Sequence, residues 1–212
     1  MIKLNIQNLF KVTIVVLSLT SLAGCLGLTR DIPKESIVSV SSIKDSGKPS
    51  AKKETVLMLD RFESSSFLNN DKIVLTKQGT VYDYFADIRW SDKIPAMLYS
   101  SLKASYENKS SYNVIDFNDS TIDNQYLLKM DLRHFEANYD EGDLSMAPEI
   151  YIEIYAVLVR RSDQKIVASK VFSKTDQVSE NKLMTIVTSF DDLYQQTQND
   201  LITWTDKSIN NQ

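Results

Sequence analysis

The sequence predicts an α+β fold: a mostly antiparallel sheet of about six or seven strands with two main helices packed on it, in a single domain. Two periodicities carry this expectation. Several segments alternate apolar and polar residues, the period of a half-buried strand, and two longer ones repeat apolar residues at spacings of three and four, the period of a helix. The size agrees, since 212 residues, 42% hydrophobic and 25% charged, suffice for one sizeable core and leave little for a second.

Ile37 to Val40 is expected as a first short strand, bounded by serines. The Gly, Pro, Ser and Lys residues of 45–54 then favour a solvated loop. Thr55 to Phe62 reads as a buried strand, Lys72 to Lys77 as a short one and Thr80 to Phe85 as another, with turn chemistry at Asn69-Asn70-Asp71. Ser91 is expected to cap a helix whose apolar stripe is Ile94, Met97, Leu98, Leu102 and Tyr106, with Pro95 in its first turn. In the strand Gln125 to Glu136, Tyr126, Leu128, Met130 and Leu132 alternate with more polar neighbours, and His134 shares their face. Glu149 to Val159 turns Ile150, Ile152, Ile154, Ala156 and Leu158 to the core, and the four residues 161–164 join it to a strand over Lys165 to Ser173. Glu180 to Trp204 is a long closing helix, with Leu183, Ile186, Val187, Phe190, Leu193, Tyr194, Leu201 and Trp204 on one stripe.

The amino terminus has a different character. Residues 1–11 carry two lysines and no acid, and Val12 to Leu22 is an apolar run well short of the roughly 20 residues a spanning helix needs. Leu22-Ala23-Gly24-Cys25 follows and resembles the bacterial lipobox. There a cysteine thiol is joined to diacylglycerol by a thioether and the bond before it is cut. Residues 1–24 are therefore expected to be a lipoprotein signal peptide, 25–35 a lipidated tether, 36–207 the domain and 208–212 a tail. Several acyl chains on Cys25 anchor more firmly than one would. Leu26, where an Asp would favour inner-membrane retention, points to the periplasmic leaflet of the outer membrane.

Composition narrows the chemistry. The formal charge is −4, and losing the leader removes two further lysines, so nucleic acid is not an expected partner. One cysteine and one histidine allow neither an intrachain disulfide nor a two-His metal site. Five scattered glycines form no phosphate-binding loop, and His-Glu-x-x-His and Gly-x-Ser-x-Gly are absent. Asp140-Glu141-Gly142-Asp143 lacks the spacing of a calcium loop and reads as a solvated hairpin tip. No catalytic residue, metal site or cofactor is expected, beyond covalent diacylglycerol and an N-acyl chain on Cys25.

Aromatic residues form the remaining signal. Tyr82, Tyr84, Phe85 and Trp90 crowd one strand and its exit, while Tyr139, Tyr151 and Tyr155 fall on faces opposite the expected core. Such residues either pack under a helix or form an exposed patch for a partner, where Tyr and Trp are enriched. Tyr84 and Trp90 are the candidate partner-binding residues.

Asp83-Tyr84, the segment Trp90 to Leu102, the strand Tyr126 to Glu136, the hairpin strand Ile166 to Phe172 and the closing helix with Phe190 and Trp204 together resemble the ABC-type transport auxiliary lipoprotein family. The resemblance spans Ile37 to Trp204. This sequence departs from it in having Lys93 where members often carry proline, and in its low glycine content. The resemblance implies a non-enzymatic, periplasm-facing accessory of an MCE-type lipid transport system. Its implied partners are a periplasmic MCE component and the inner-membrane ABC transporter; the number of copies, a homo-oligomer included, stays open. Two other readings fit the tether-plus-domain plan: an outer-membrane lipoprotein regulating cell-wall synthesis or envelope assembly, and a lipid carrier with an internal cavity.

Overall fold

The computed structural model describes residues 35–44, 54–119, 121–139 and 143–211. The leader, the lipobox residues Leu22, Ala23 and Gly24, the lipidation residue Cys25 and most of the acidic stretch 140–143 lie outside them. Eight strands and two helices follow in the order β1 (Ser36–Val38), β2 (Val56–Ser64), β3 (Lys72–Lys77), β4 (Val81–Trp90), α1 (Ile94–Lys109), β5 (Asn113–Asp116), β6 (Tyr126–Tyr139), β7 (Glu149–Arg160), β8 (Lys165–Gln177) and α2 (Leu183–Asn210).

β6 organises the sheet. One of its edges carries β7 and then β8, both antiparallel, as alternation and the short turn at 161–164 lead one to expect. The other edge is shared end to end by two parallel strands, β2 along Tyr126–Leu132 and β3 along Ala137–Tyr139. β5 flanks β2 in parallel, β4 flanks β3 antiparallel, and β1 flanks β4 in parallel. The sheet is thus mixed, which corrects the expectation of a mostly antiparallel one. Short turns fix antiparallel sense, but β2 and β5 reach their neighbours through long crossovers whose direction leaves no local pattern. β5 was also not expected; four residues between polar flanks are too few to show a period.

Both helices pack on one face. The expected stripe of α1 is buried, as are Ile186, Val187, Phe190, Leu193, Tyr194 and Leu201 of α2, while Leu183 and Trp204 are partly covered. Ser91 is not the cap of α1. Lys93 occupies that position without a side-chain bond, and the Ile94 N–H is satisfied instead by the Asn70 carbonyl at 2.8 Å. The β3–β4 hairpin turns at Gln78 and Gly79, with φ of 53° and 65°, a conformation glycine adopts at little cost.

Two irregularities reverse which side chains face the core. In β6 the pairing with β7 shifts between Leu132 and His134. Leu128, Met130 and Leu132 point to the helices before the shift, and Phe135, Ala137 and Tyr139 after it. In β4, Asp87 has φ 59° and the register against β3 slips between Lys72 and Val74. Tyr82 and Tyr84 therefore point away from the helices, while Ile88 and Trp90 point toward them.

Candidate docking surface

The two candidate partner-binding residues are separated by this reversal. Trp90 is 0% exposed, with its ring 5.6 Å from Phe135 and edge-on to Phe190 at 5.5 Å. It is a core residue, not a surface one, because the kink at Asp87 brings it under α2. Tyr139 is corrected in the same way: it is buried, and its hydroxyl donates to Asn181 Oδ1 at 2.9 Å.

Tyr84 does reach the surface. It is 39% exposed, its neighbour Tyr82 47% and Val81 54%. Phe67, from the turn that links β2 to β3, stacks on Tyr84 at 5.3 Å and tilts against Tyr82 at 4.4 Å. The three rings form one platform on the side of the hairpin away from the helices. Beside it, Lys77 Nζ pairs with Asp83 Oδ2 at 3.0 Å. The Tyr84 N–H, and then the Lys77 ammonium, hold the Asp83 carboxyl below its ordinary value. Phe67 escaped the sequence reading because its turn lies far from Tyr82 along the chain, and no spacing rule joins them.

The helix-free face carries a second polar cluster. The shift in β6 moves His134 off the face of Leu132 and places its ring against Tyr151, with centroids 4.5 Å apart. Its Nδ1 lies 2.6 Å from Oε1 of Glu136, which is buried and whose Oε2 accepts the Phe135 N–H at 2.6 Å. Arg133 lies over Tyr155 at 4.6 Å and pairs with Asp131 and Glu153. Burial raises the Glu136 carboxyl above its ordinary 4.5, against the opposing effect of the His134 bond.

A raised native carboxyl pKa means that the folded chain binds this proton more tightly than the unfolded chain. The contribution of Glu136 to stability is then fully present below 4.5 and falls as pH rises through the raised native value. Glu136→Gln keeps the shape and removes that decline. Denaturation midpoints measured from acid to neutral pH should show the variant gaining on wild type as pH rises across this window. Parallel curves would mean that burial does not raise the Glu136 carboxyl.

Among the described residues no group of three or more His, Cys, Asp or Glu side chains could hold a metal ion, and no helix is long and apolar enough to cross a membrane. The open clefts among them are lined by mixed polar and aromatic side chains.

This architecture, a mixed sheet with both helices on one face, is that of a two-layer α+β domain found in other solved proteins. A protein of Xanthomonas campestris, XCC0632, shares it with a TM-score of 0.73 at 20% identity, over 83% of this chain and 97% of its own. An uncharacterized protein shares it with a TM-score of 0.64 at 11% identity, over 81% and 99%. The hypothetical protein CT253 of Chlamydia trachomatis does so with a TM-score of 0.50 at 5% identity, over 74% and 98%. At these identities the likeness is one of fold. No curated protein sequence matches the chain. The model of the ABC-type transport auxiliary lipoprotein component family matches residues 41–201, inside the span the sequence resemblance covers, and the chain belongs to that family.

Proposed function

We propose that this protein is a non-enzymatic accessory component of an MCE-type ABC lipid transport system, held on the periplasmic leaflet of the outer membrane by acyl chains on Cys25. In this reading it docks with the periplasmic MCE component through Phe67, Tyr82 and Tyr84. The exposed three-ring platform is the observation that carries the docking step. Two exposed tyrosines on the hairpin, backed by the half-buried Phe67 from the turn beside it, have the composition of interface anchors. Family membership supports the ABC-transport setting.

The test is recovery of partners from membranes in neutral detergent. Wild type should bring down an MCE protein. Tyr82→Ala/Tyr84→Ala should lower that recovery by about tenfold or more, the scale of a lost interface hot spot, with an unchanged melting curve. Cys25→Ser should move the protein out of the membrane fraction. Wild-type membranes that yield no MCE protein would sink the reading.

A further inference from the structure

On the other side of the turn that carries Phe67, a cleft of about 530 Å³ opens between the end of β2, the start of α1 and the loop after β5. Its size is that of a small-molecule pocket rather than of a packing defect, since such pockets span about 300–1,000 Å³. Phe62, Pro95, Tyr99 and Phe117 form apolar walls, and Ser64, Asn69 and Ser100 offer polar groups at the rim.

Two cations line it, and no acid does. The Arg61 guanidinium lies over Phe117, 3.8 Å from the ring centroid, and its Nη2 reaches Asn118 Oδ1 at 3.4 Å. Among the described residues neither the Arg61 guanidinium nor the Lys93 ammonium forms an ion pair with a carboxylate. The acids nearest in sequence stand behind the wall and are engaged by hydroxyl and backbone donors, not by the two cationic side chains. Asp116 takes the Tyr99 hydroxyl at 3.0 Å and the Asn118 N–H at 2.9 Å, Asp60 takes the Arg61 backbone N–H at 2.9 Å, and Asp92 the Lys93 backbone N–H at 2.7 Å.

The third source of positive potential is α1 itself, 16 residues long, whose first turn reaches the cleft at Pro95 and Ala96. It carries no acid in that turn and has no side-chain cap. The Lys93 and Ile94 N–H groups are already taken, by Asp92 Oδ1 at 2.7 Å and by the Asn70 carbonyl at 2.8 Å, and Pro95 has none, so the helix contributes its dipole, positive at this end, rather than free donors. A guanidinium, an ammonium and a helix N-terminus around one hollow favour a multi-oxygen anion over a single carbonyl or hydroxyl. The aromatic walls favour a ligand in which that anion is joined to apolar carbon.

We infer that the cleft bounded by Arg61, Lys93, Tyr99 and Phe117 is a binding site for a phosphate group borne on an apolar body, the phosphate held between Arg61 and Lys93. Phosphate of this kind is offered by an anionic lipid headgroup or by a free phosphate compound. The site belongs to this chain alone, so it is read without any docking partner, and its failure leaves the docking reading intact.

Native mass spectrometry of the full purified lipoprotein, released from neutral detergent, tests it. The probes are dihexanoyl phosphatidylglycerol, dihexanoyl phosphatidylcholine, glycerol 3-phosphate and inorganic phosphate. A one-to-one adduct with phosphatidylglycerol is expected, at least about tenfold stronger than with phosphatidylcholine, and weakened about tenfold or more by Arg61→Gln/Lys93→Gln. Both substitutions are at exposed positions, and an unchanged melting curve confirms the fold. Phe117→Ala should weaken the lipid adduct and spare inorganic phosphate, which assigns the lipid source. Equal binding of phosphatidylglycerol and glycerol 3-phosphate, both lost in the double variant, assigns a free phosphate compound. Adducts indifferent to the double variant, equal binding of the two lipids, or no adduct with any probe would overturn the site.

Discussion

Trp90→Ala should unfold this protein more readily than any other single substitution on the β3–β4 hairpin, by about 3–5 kcal/mol, the usual cost of emptying a large aromatic site in a core. The indole is wholly buried, packed against Phe135 and Phe190. Those neighbours belong to β6 and α2, so the cavity opens where sheet and helix layer meet and cannot be closed by moving one loop. At about 2–4 °C per kcal/mol for a domain of this size, the melting midpoint should fall by about 6–20 °C. The indole Nε1–H has no hydrogen-bond partner among the described residues, an unfavourable feature in a dry interior. Trp90→Phe gives up some volume but also removes that orphan donor, and should stay within about 1.5 kcal/mol of wild type. Urea denaturation of the three proteins checks both values. If Trp90→Ala were to melt with wild type while losing a partner, Trp90 would be a surface residue after all.

That correction shows where sequence reasoning ran out. A strand period identifies two faces, yet one residue in an unusual conformation exchanges them, and nothing in Phe85-Ala86-Asp87-Ile88 marks Asp87 for φ 59°. The same holds in β6, where the shift after Leu132 carries Phe135 and Tyr139 inward and leaves Glu136 in a buried pair with His134. Where the strand itself keeps its alternation, as in β7 even opposite the shift in β6, every expected inward residue from Ile150 to Leu158 is buried. Strand direction followed a similar rule. It was legible across the four-residue turn before β8 and illegible across the crossovers that bring β2 beside β5 and β6.

Of the candidate surface, the tyrosine at 84 was legible because strand alternation and aromatic content need no distant partner. Phe67 was not, since its place above Tyr82 and Tyr84 depends on how the turn after β2 folds over the hairpin. The cleft at Arg61 was illegible for the same reason. Its two cations lie on β2 and before α1, and Phe117 comes from beyond β5.

The second large effect is expected at Gln198, which no hydrophobic pattern selects. It is 0% exposed in the middle of α2, where its Nε2 donates to Ser101 Oγ at 2.8 Å and to the Ser41 carbonyl at 3.2 Å. Its Oε1 lies within hydrogen-bond reach of Ser105 Oγ, which accepts the Ile43 N–H at 2.8 Å. Ser101 Oγ in turn donates to the Ser41 carbonyl at 2.7 Å. The segment after β1 is therefore held against both helices by one buried amide and two buried hydroxyls. Gln198→Leu preserves the volume but leaves these polar groups short of partners in a site water does not reach. About 2–4 kcal/mol should be lost, at roughly 1–3 kcal/mol for each group left unsatisfied. Adding Ser101→Ala and Ser105→Ala should cost less than the sum of the separate changes, because the groups that would be stranded leave together. Hydrogen exchange should report the location: the amides of Ser41 and Ile43 should exchange faster in Gln198→Leu, while those of β7 follow only the global loss of stability. Additive costs with unchanged exchange at Ser41 and Ile43 would show that the segment is held by other contacts, the Asp191 carboxylate on the Ser41 N–H and the apolar Val40 and Ile43, and not by the amide.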